Sequence, residues 1–320
     1  MKLISVTIMT YNHEKFISQC LDSVLNQSRL PDEIIVCDDN SDDNNWEIIK
    51  RYKEKYGDLL NIKRNANNFG IFKNCSYTRS LASGQVLISL AGDDMLEEGA
   101  INSLYKSLKK NNLIDTNKKF IIYTNFNILY PNKKIKLFDN FKYKDKDHIS
   151  LVIRSLVGFR GFGISRNLIL GRTQDHELHN QYPHLSISLD YIMNIEEAIL
   201  ADDIYFEDFV SNFYRVGYGI TSDLQNHSFS NMEFLYQLAL KRFKKNIQPR
   251  DAKFLEYKIH HARLVNKKTA KNLFNYIYVL IKNIFNFINL RYVLFSDLKI
   301  LLPINIYTKL RTIYWKKNNQ

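Results

Sequence analysis

Residues 86–94 read Val-Leu-Ile-Ser-Leu-Ala-Gly-Asp-Asp, an apolar run that leads through a glycine into two adjacent carboxylates. A run of this length bounded by glycines predicts a buried strand of a parallel sheet. Open α/β sheets bind ligands at the carboxyl ends of their strands, where Asp93 and Asp94 would lie. Neighbouring carboxylates repel each other, so the pair indicates a divalent cation. The alternative is the first turn of a helix, because two glutamates follow and acids are favoured there.

The first third of the chain alternates between strand and helix patterns. Strands are predicted over residues 5–10, 33–37, 59–64 and 86–90, with a helix in each interval, the first of which is amphipathic. This alternation predicts βαβ units with right-handed crossovers, and therefore a mostly parallel sheet flanked by helices. Asp38 and Asp39, which follow the second strand, would then lie at the same edge of the sheet as Asp93 and Asp94.

The pattern weakens after residue 110 but stays α/β. It predicts a strand over 120–125, a polar loop or hairpin over 130–150, a flexible turn over 158–163, a helix over 189–199 and a strand pair over 204–214. From residue 229 onward the pattern is helical. We therefore predict an α/β domain over residues 1–228 and a helical, basic region over residues 229–320.

Charge separates the two parts of the chain. Residues 241–320 contain 18 Lys and Arg against 3 Asp and Glu, a net charge of +15, whereas the other 240 residues carry 27 against 30, or −3. The three cysteines show no CxxC spacing, which predicts free thiols in a reducing compartment. Neither a secretory signal nor a membrane-spanning run is evident, so a cytoplasmic location is expected.

The acidic edge fits a nucleotide diphosphate. A metal at Asp93 and Asp94 would neutralise the departing phosphates, Asp38 and Asp39 would accept hydrogen bonds from base and ribose, and Tyr11 could pack on the base. Neither a Gly-x-Gly-x-x-Gly nor a Gly-x-x-x-x-Gly-Lys-Ser/Thr motif occurs, which argues against dinucleotide and P-loop proteins.

These motifs together resemble a known family. Residues 3 to about 110 resemble the N-terminal half of a family 2 glycosyltransferase with the GT-A fold. The matching segments are Val6–Asn12, Glu33–Asp42, Asn68–Gly70 with Asn74, Ala82–Gly84 and Gly92–Asp94. The chain departs from the family's Asp-x-Asp-Asp pattern at Ala91.

The resemblance implies a nucleotide-sugar site and a metal, Mn²⁺ or Mg²⁺, at Asp93 or Asp94. Thr10 and Asp39 would contact the base and Asp93 the sugar nucleotide. The full set of implied nucleotide-sugar residues is Thr10, Tyr11, Asn12, Asp39, Asn68, Gly70, Asn74, Asp93 and Arg215. Arg215 corresponds to the family's closing Tyr-Arg, and its alternative role is a surface ion pair. Arg160 could line the acceptor site or face solvent.

The resemblance also implies a general base. Asp190 occupies the place of the family's acidic residue at the start of a helix, although Leu189 replaces an acid that often precedes it. One base suffices because the metal stabilises the leaving diphosphate, so only the acceptor hydroxyl must be deprotonated. Attack from the face opposite the diphosphate inverts the anomeric centre. The alternative role for Asp190 is a helix N-cap.

The basic C-terminal region suggests a membrane surface. Apolar residues recur at helical spacing over 273–288, which favours packing on the catalytic domain. Residues 304–317 interleave aromatic residues with four cations, which suits the inner leaflet of an anionic membrane. Packing on the protein is again the alternative.

The sequence therefore predicts an inverting, metal-dependent glycosyltransferase that is peripheral on the inner face of the membrane. Its partners would be a nucleotide-diphosphate sugar, with UDP expected, and a lipid-linked saccharide in bacterial surface polysaccharide (O-antigen or capsule) synthesis. The alternatives are a nucleic-acid-binding protein and a nucleotidyltransferase. The first is disfavoured because the cations are confined to one end, so no nucleic acid is expected as a partner. The second is disfavoured because no basic, Gly-rich loop follows the first strand.

Overall fold

A computed structural model describes residues 2–154, 161–183, 189–217 and 229–266, together with residues 272, 275, 276 and 278. The chain divides into two compact units, Met1–Asn226 and His227–Gln320. The sequence-based prediction placed the boundary after residue 228.

The described part of the first unit contains nine strands and eight helices. The strands are β1 (Ile4–Thr10), β2 (Glu33–Asp38), β3 (Leu60–Arg64), β4 (Val86–Ala91), β5 (Met95–Leu96), β6 (Phe120–Leu129), β7 (Ile135–Phe138), β8 (Gly163–Ser165) and β9 (Asp203–Arg215). The helices are α1 (Ile17–Leu25), α2 (Asn45–Tyr56), α3 (Ile71–Ser80), α4 (Ala100–Lys110), α5 (His148–Ile153), α6 (Arg166–Gly171), α7 (Asp175–Gln181) and α8 (Leu189–Leu200). Short 3₁₀ turns occupy Gly57–Leu59 and Phe141–Tyr143.

One sheet organises this unit, in the order β3-β2-β1-β4-β8-β6-β9-β5, with β7 also paired to β6. β3, β2, β1 and β4 are parallel neighbours, as predicted. β8 runs antiparallel between β4 and β6, while β9 runs parallel to β6 and antiparallel to β5. The predicted α/β class is confirmed, and the second half of the sheet is mixed.

Successive side chains along each strand point to opposite faces of the sheet, so the hydrophobic core has two parts, one on each face. Ile34 and Val36 of β2 pack in the large core that also contains the buried residues of α1, α2 and α4. Ile35 and Cys37 point to the opposite face. Both faces are therefore covered, which explains why these strands read as continuous apolar runs. The three cysteines are buried free thiols.

Two predictions for the second half of the sheet are wrong. Residues 204–214 do not form a strand pair, because β9 is one strand of 13 residues along β6, with register shifts beside Asn125 that absorb its irregular centre. Gly163 does not lie in a flexible turn but begins β8, which is buried between two longer strands. The adjoining residues 155–160, including Arg160, lie outside the described residues.

The second unit is helical where it is described. Its helices α9 (Phe229–Phe243) and α10 (Pro249–Asn266) pack on each other, and Arg263 Nε donates to Glu233 Oε1 at 2.6 Å. The described residues include no helix that is both long and apolar enough to cross a membrane. Most of residues 270–290, and all of 304–317, lie outside the described residues.

Candidate functional site

Three parallel strands end together at one edge of the sheet. Thr10 of β1 lies opposite Asp38 of β2, and Met9 lies opposite Ala91 of β4. The pairing continues past the strand ends, where Asp39 N donates to Thr10 O at 2.9 Å and Gly92 N donates to Met9 O at 2.9 Å. The loops that carry the predicted acidic residues therefore open side by side, as the βαβ pattern predicts.

The two adjacent carboxylates lie in a turn between two strands. Asp94 N donates to Ala91 O at 3.0 Å, and the chain then enters the short strand β5. The next helix, α4, begins only at Ala100. The alternative that placed Asp93 and Asp94 in the first turn of a helix is therefore wrong.

Arg215, which lies 121 positions after Asp94 in the sequence, contacts this turn. β9 pairs with β5, and at its last residue Arg215 N donates to Asp94 Oδ1 at 2.8 Å. Arg215 Nε donates to Asp93 O at 2.7 Å, Nη2 donates to Gln19 Oε1 at 2.9 Å, and the guanidinium stacks 4.6 Å from the Phe16 ring. The structure therefore places Arg215 on the Asp93–Asp94 turn, where its backbone N bonds to the Asp94 carboxylate and its guanidinium to the Asp93 carbonyl group.

The turn concentrates negative charge in a confined place. Asp94 is only 8% exposed, and both this burial and the charge of Asp93 raise the pKa of Asp94, against the opposing effect of Arg215. His13 lies close to Gly92, with Nδ1 3.2 Å from Thr10 Oγ1, and burial lowers the pKa of His13 despite nearby carboxylates. His13 was not predicted as a site residue, although it follows directly after the motif at 10–12.

Asp39 is engaged with the loop that precedes α3. Its Oδ1 accepts hydrogen bonds from Asn65 Nδ2 at 2.6 Å and Phe69 N at 2.8 Å, and its Oδ2 accepts one from Gly70 N at 2.8 Å. Asn68, which is exposed, accepts a hydrogen bond from Gly70 N through Oδ1 at 2.9 Å. Asp39 is only 2% exposed and therefore fixes the shape of the 65–70 loop; its contact with a base stays a prediction.

Asn74 connects this loop to β2 through hydrogen bonds to Asn65 and Cys37. Asn74 is 3% exposed, donates from Nδ2 to Cys37 O at 3.3 Å and accepts from Asn65 Nδ2 at 3.1 Å. Asn65 was not selected from the sequence. Its only signal was its position just after the third strand.

Asp38 does not face a ligand, contrary to the prediction. Its side chain is fully buried and accepts hydrogen bonds from Ser41 N at 3.0 Å and Asn45 Nδ2 at 2.6 Å, with Arg64 Nε at 3.4 Å. It therefore holds the β2–α2 loop together from inside.

Tyr11 and Asn12 connect the first two loops. Tyr11 Oη donates to Asp42 Oδ2 at 3.2 Å. Asn12 has a left-handed φ of 54°; its N donates to Ser41 Oγ at 2.9 Å, and its Oδ1 accepts from Asp42 N at 2.8 Å. Both residues thus lie at the predicted edge, and their contact with a nucleotide stays a prediction.

Asp190 lies in the first turn of α8 and is exposed. The helix begins at Leu189, so Asp190 lies within it rather than before it, and residues 184–188 lie outside the described residues. Helix α8 packs against α5, α6 and α7, and Tyr191 Oη donates to Ile153 O at 2.6 Å. The N-cap alternative for Asp190 is therefore wrong, and its role as general base stays a prediction.

The carboxylates suit a metal that arrives with a substrate. Among the described residues, no three His, Cys, Asp or Glu side chains form a group that could hold a metal ion. A caged structural metal is therefore not supported there. Mg²⁺, however, is commonly held by one or two carboxylates together with substrate phosphates and water. Adjacent Asp93 and Asp94 fit that second arrangement.

Sequence comparisons place these motifs among known proteins. The model of the family described as Glycosyl transferase family 2 matches residues 5–168. The poly(ribitol-phosphate) beta-glucosyltransferase of Bacillus spizizenii is 34% identical over 110 residues, which cover 34% of this chain and 17% of that enzyme. The cholesterol galactosyltransferase of Borreliella burgdorferi is 25% identical over 223 residues, 67% of this chain and 61% of that protein. The matched regions thus span less than two thirds of these relatives.

A solved structure shares the fold. S. aureus TarS, residues 1–349 in complex with UDP, is similar with a TM-score of 0.56 and 16% identity, covering 84% of this chain and 73% of that one. At this identity the likeness concerns the fold alone, and it confirms the GT-A-type architecture expected from the sequence.

Proposed function

Because the chain belongs to glycosyl transferase family 2, we propose that it transfers a sugar from a nucleotide-diphosphate sugar, with UDP as the nucleotide, to a hydroxyl group of a lipid-linked saccharide in bacterial surface polysaccharide synthesis. The observation that carries this proposal is that the loops carrying Asp39 and Asp93 lie at one edge of the sheet, where Arg215 contacts the Asp93–Asp94 turn. A nucleotide-sugar donor requires hydrogen-bond acceptors for its base and its sugar hydroxyls. It also requires a positive charge beside its phosphates.

The donor would lie across the three loops. Asp39 and Thr10 would meet the base, Tyr11 would pack on it, and Arg215 would lie beside the diphosphate, with Asn12, Asn68, Gly70 and Asn74 shaping the loops. Asp93 and Asp94 would hold Mn²⁺ or Mg²⁺, which when bound neutralises the charge on the leaving diphosphate. Arg215 already contacts the Asp93–Asp94 turn, so its guanidinium needs little rearrangement to contribute a second positive charge.

Asp190 would remove the proton from the acceptor hydroxyl. A single base on the face opposite the diphosphate gives one displacement, so the product has inverted anomeric configuration. An exposed carboxylate at the start of α8 suits this role because it must meet an acceptor that enters from solvent.

Relatives support the substrate classes. The B. spizizenii relative is named for a poly(ribitol-phosphate) acceptor, the B. burgdorferi relative for cholesterol, and the TarS complex contains UDP. The first name gives a polymer as acceptor and the second a lipid, which is compatible with the lipid-linked saccharide proposed here. We further propose attachment of residues 304–317 to the membrane surface.

The donor proposal is tested by thermal shift with a panel of nucleotide sugars, with and without Mn²⁺. A ligand that binds only the folded chain raises its melting temperature. We expect the largest rise with a UDP-sugar plus Mn²⁺, and its loss in Asp93→Asn and Asp94→Asn. Asp58→Asn is the matched control, because this exposed acid precedes β3 at the opposite edge of the sheet.

Activity is measured as release of nucleoside diphosphate. Asp93→Ala and Asp94→Ala should abolish turnover while melting stays cooperative, and near-normal activity in both would contradict the metal assignment. Asp190→Asn should remove transfer and retain the donor-induced thermal shift. Loss of the shift in Asp190→Asn would assign that residue to donor binding instead.

A further inference from the structure

The hairpin of β6 and β7 exposes two aliphatic side chains on one face. Ile135 and Leu137 are each 52% exposed, and their spacing of two residues places both on the same side of β7. β7 pairs with β6 alone in the described sheet, so it is an edge strand. An exposed aliphatic pair on an edge strand requires a partner or a protective environment.

Lysines flank this pair along the chain: Lys133 and Lys134 precede it in the connecting loop, and Lys136 lies between its two members on the opposite side of β7. Lys133, Lys134 and Lys136 are exposed, and residues 131–138 contain no acid. Within the described part of the chain, none of these three lysines has an ion-pair partner. Aliphatic side chains beside unneutralised ammonium groups match the interface of an anionic bilayer, which takes up the former and attracts the latter.

The hairpin is already shaped without a ligand. Tyr130 N donates to Lys134 O at 2.9 Å, and Lys133 N donates to Tyr130 O at 2.9 Å, which closes the connecting loop. Val216 N donates to Leu129 O at 3.0 Å, which ties the hairpin to the end of β9. A preformed surface loses little conformational entropy when it docks.

Its position links it to the candidate site. Ile135 pairs with Leu129 of β6, and Leu129 pairs with Arg215 of β9. Directly opposed residues share a sheet face, so these three side chains form one row. The row spans two strand spacings, roughly 10 Å. At its other end, Arg215 contacts Asp93 and Asp94.

We propose that the face of the hairpin carrying Ile135 and Leu137, the hairpin face, docks on an anionic lipid bilayer and holds the donor site beside the membrane surface. The reason for such docking rests on the proposed function, since a lipid-linked acceptor presents its hydroxyl group at the membrane surface. It assigns a membrane contact to the catalytic unit itself, separate from residues 304–317.

The full chain is tested by flotation with phosphatidylcholine vesicles, with and without phosphatidylglycerol. Ile135→Ser/Leu137→Ser should weaken binding to the anionic vesicles about tenfold, because the bilayer no longer takes up two aliphatic side chains. Lys133→Gln/Lys134→Gln should weaken it at least tenfold, whereas Lys136→Gln, on the opposite side of β7, should weaken it less. Leu30→Ser/Leu170→Ser is the matched control, since these side chains are 47% and 50% exposed elsewhere, and it should float as the wild type does.

Equal flotation of wild type and both double variants of the hairpin, with unchanged melting temperatures, would overturn the proposal. A hairpin variant that instead converts a dimer to a monomer in sedimentation would also overturn it, and would assign the face to a second copy of the chain. The proposed function fails separately: hairpin-dependent flotation without nucleoside diphosphate release from any donor would refute the enzyme assignment alone.

Discussion

At the scale of single residues, Glu33 shows how a carboxylate can be structural. Its Oε1 accepts from Ser5 Oγ at 2.6 Å and from Ser83 N at 2.7 Å, and its Oε2 lies 2.7 Å from Lys2 Nζ. Burial alone would raise the pKa of Glu33, but the hydrogen bonds from Lys2, Ser5 and Ser83 outweigh it and lower the pKa to about 2.

This shift predicts an acid-sensitive contribution to stability. A carboxyl whose pKa falls from 4.5 to about 2 on folding stabilises the fold by about 3 kcal/mol above pH 4.5. The contribution is lost as the pH falls from 4.5 to 2. We expect the difference in free energy of unfolding between wild type and Glu33→Gln, measured by urea denaturation, to shrink over that interval. A difference independent of pH would contradict the assignment, and Asp58→Asn serves as control.

Gly92 is needed because the strand ends approach closely. A Cβ there would lie 2.5 Å from Thr10 Oγ1 and 2.8 Å from His13 Nδ1. We expect Gly92→Ala to destabilise the fold by about 1–3 kcal/mol through overpacking and to weaken the thermal shift produced by a UDP-sugar with Mn²⁺. Wild-type melting together with a wild-type shift would show that the loops can separate freely.

Sequence reasoning located acids at strand ends but not their individual environments. The strand patterns indicated that Asp38 and Asp39 would share an edge with Asp93. Asp38 and Asp39 are both almost fully buried, at 0% and 2% exposed, and a strand pattern does not show which protein groups a carboxylate at a strand end will bind, which left Asp38 assigned to the ligand. His13 and Asn65 were missed because isolated polar residues in loops carry no periodic signal.

At the scale of elements, a buried ionic network joins three helices. Arg79 of α3 and Arg172 both pair with Asp175 of α7, at 2.7 and 2.5 Å, and Arg172 Nε lies 2.8 Å from Glu197 Oε1 of α8. Arg79 Nε also donates to Ser89 Oγ of β4 at 3.1 Å. The network thereby connects the strand that leads to Asp93 with the helix that carries Asp190.

Removing one member should be costly because the partner charge stays buried. Arg79 and Asp175 side chains are 4% and 1% exposed, and breaking such a pair costs roughly 3–5 kcal/mol. Asp175 keeps Arg172 as a partner, so we expect Arg79→Met to lower the free energy of unfolding by the lower end of that range, about 3 kcal/mol. Lys118→Met is the control, because its pair with Asp203 is 55% and 35% exposed and should contribute nothing measurable. Similar effects of the two substitutions would contradict the argument.

The parallel half of the sheet was predictable and the mixed half was not. β1 to β4 read as apolar runs because both sheet faces are covered. β8 has three residues, and its identity depends on packing: a Cβ at Gly163 would lie 2.7 Å from Leu104 Cδ1. The irregular centre of β9 resembled a turn, but β6 offers a continuous partner that spans it.

At the scale of the whole molecule, positive charge is concentrated toward the C-terminus. Residues 300–320 contain four Lys and Arg and no acid. If they attach to an anionic surface, deleting them should reduce flotation with anionic vesicles several-fold, and the wild-type signal should fall steeply with salt because exposed charges are screened. Equal recovery of both forms would remove this attachment. The deletion is combined with Ile135→Ser/Leu137→Ser to determine whether the two contacts act independently.

The closure of the Asp93–Asp94 turn by Arg215 has a consequence for biosynthesis. The hydrogen bond from Arg215 N to Asp94 joins residues 121 positions apart. A ribosome must therefore release most of the first unit before this bond can form, and long-range pairing of this kind is slow. A nascent chain that ends near residue 168 already contains β1 to β4. It still lacks Arg215, so the turn at Asp93 and Asp94 cannot yet form its hydrogen bonds to that residue.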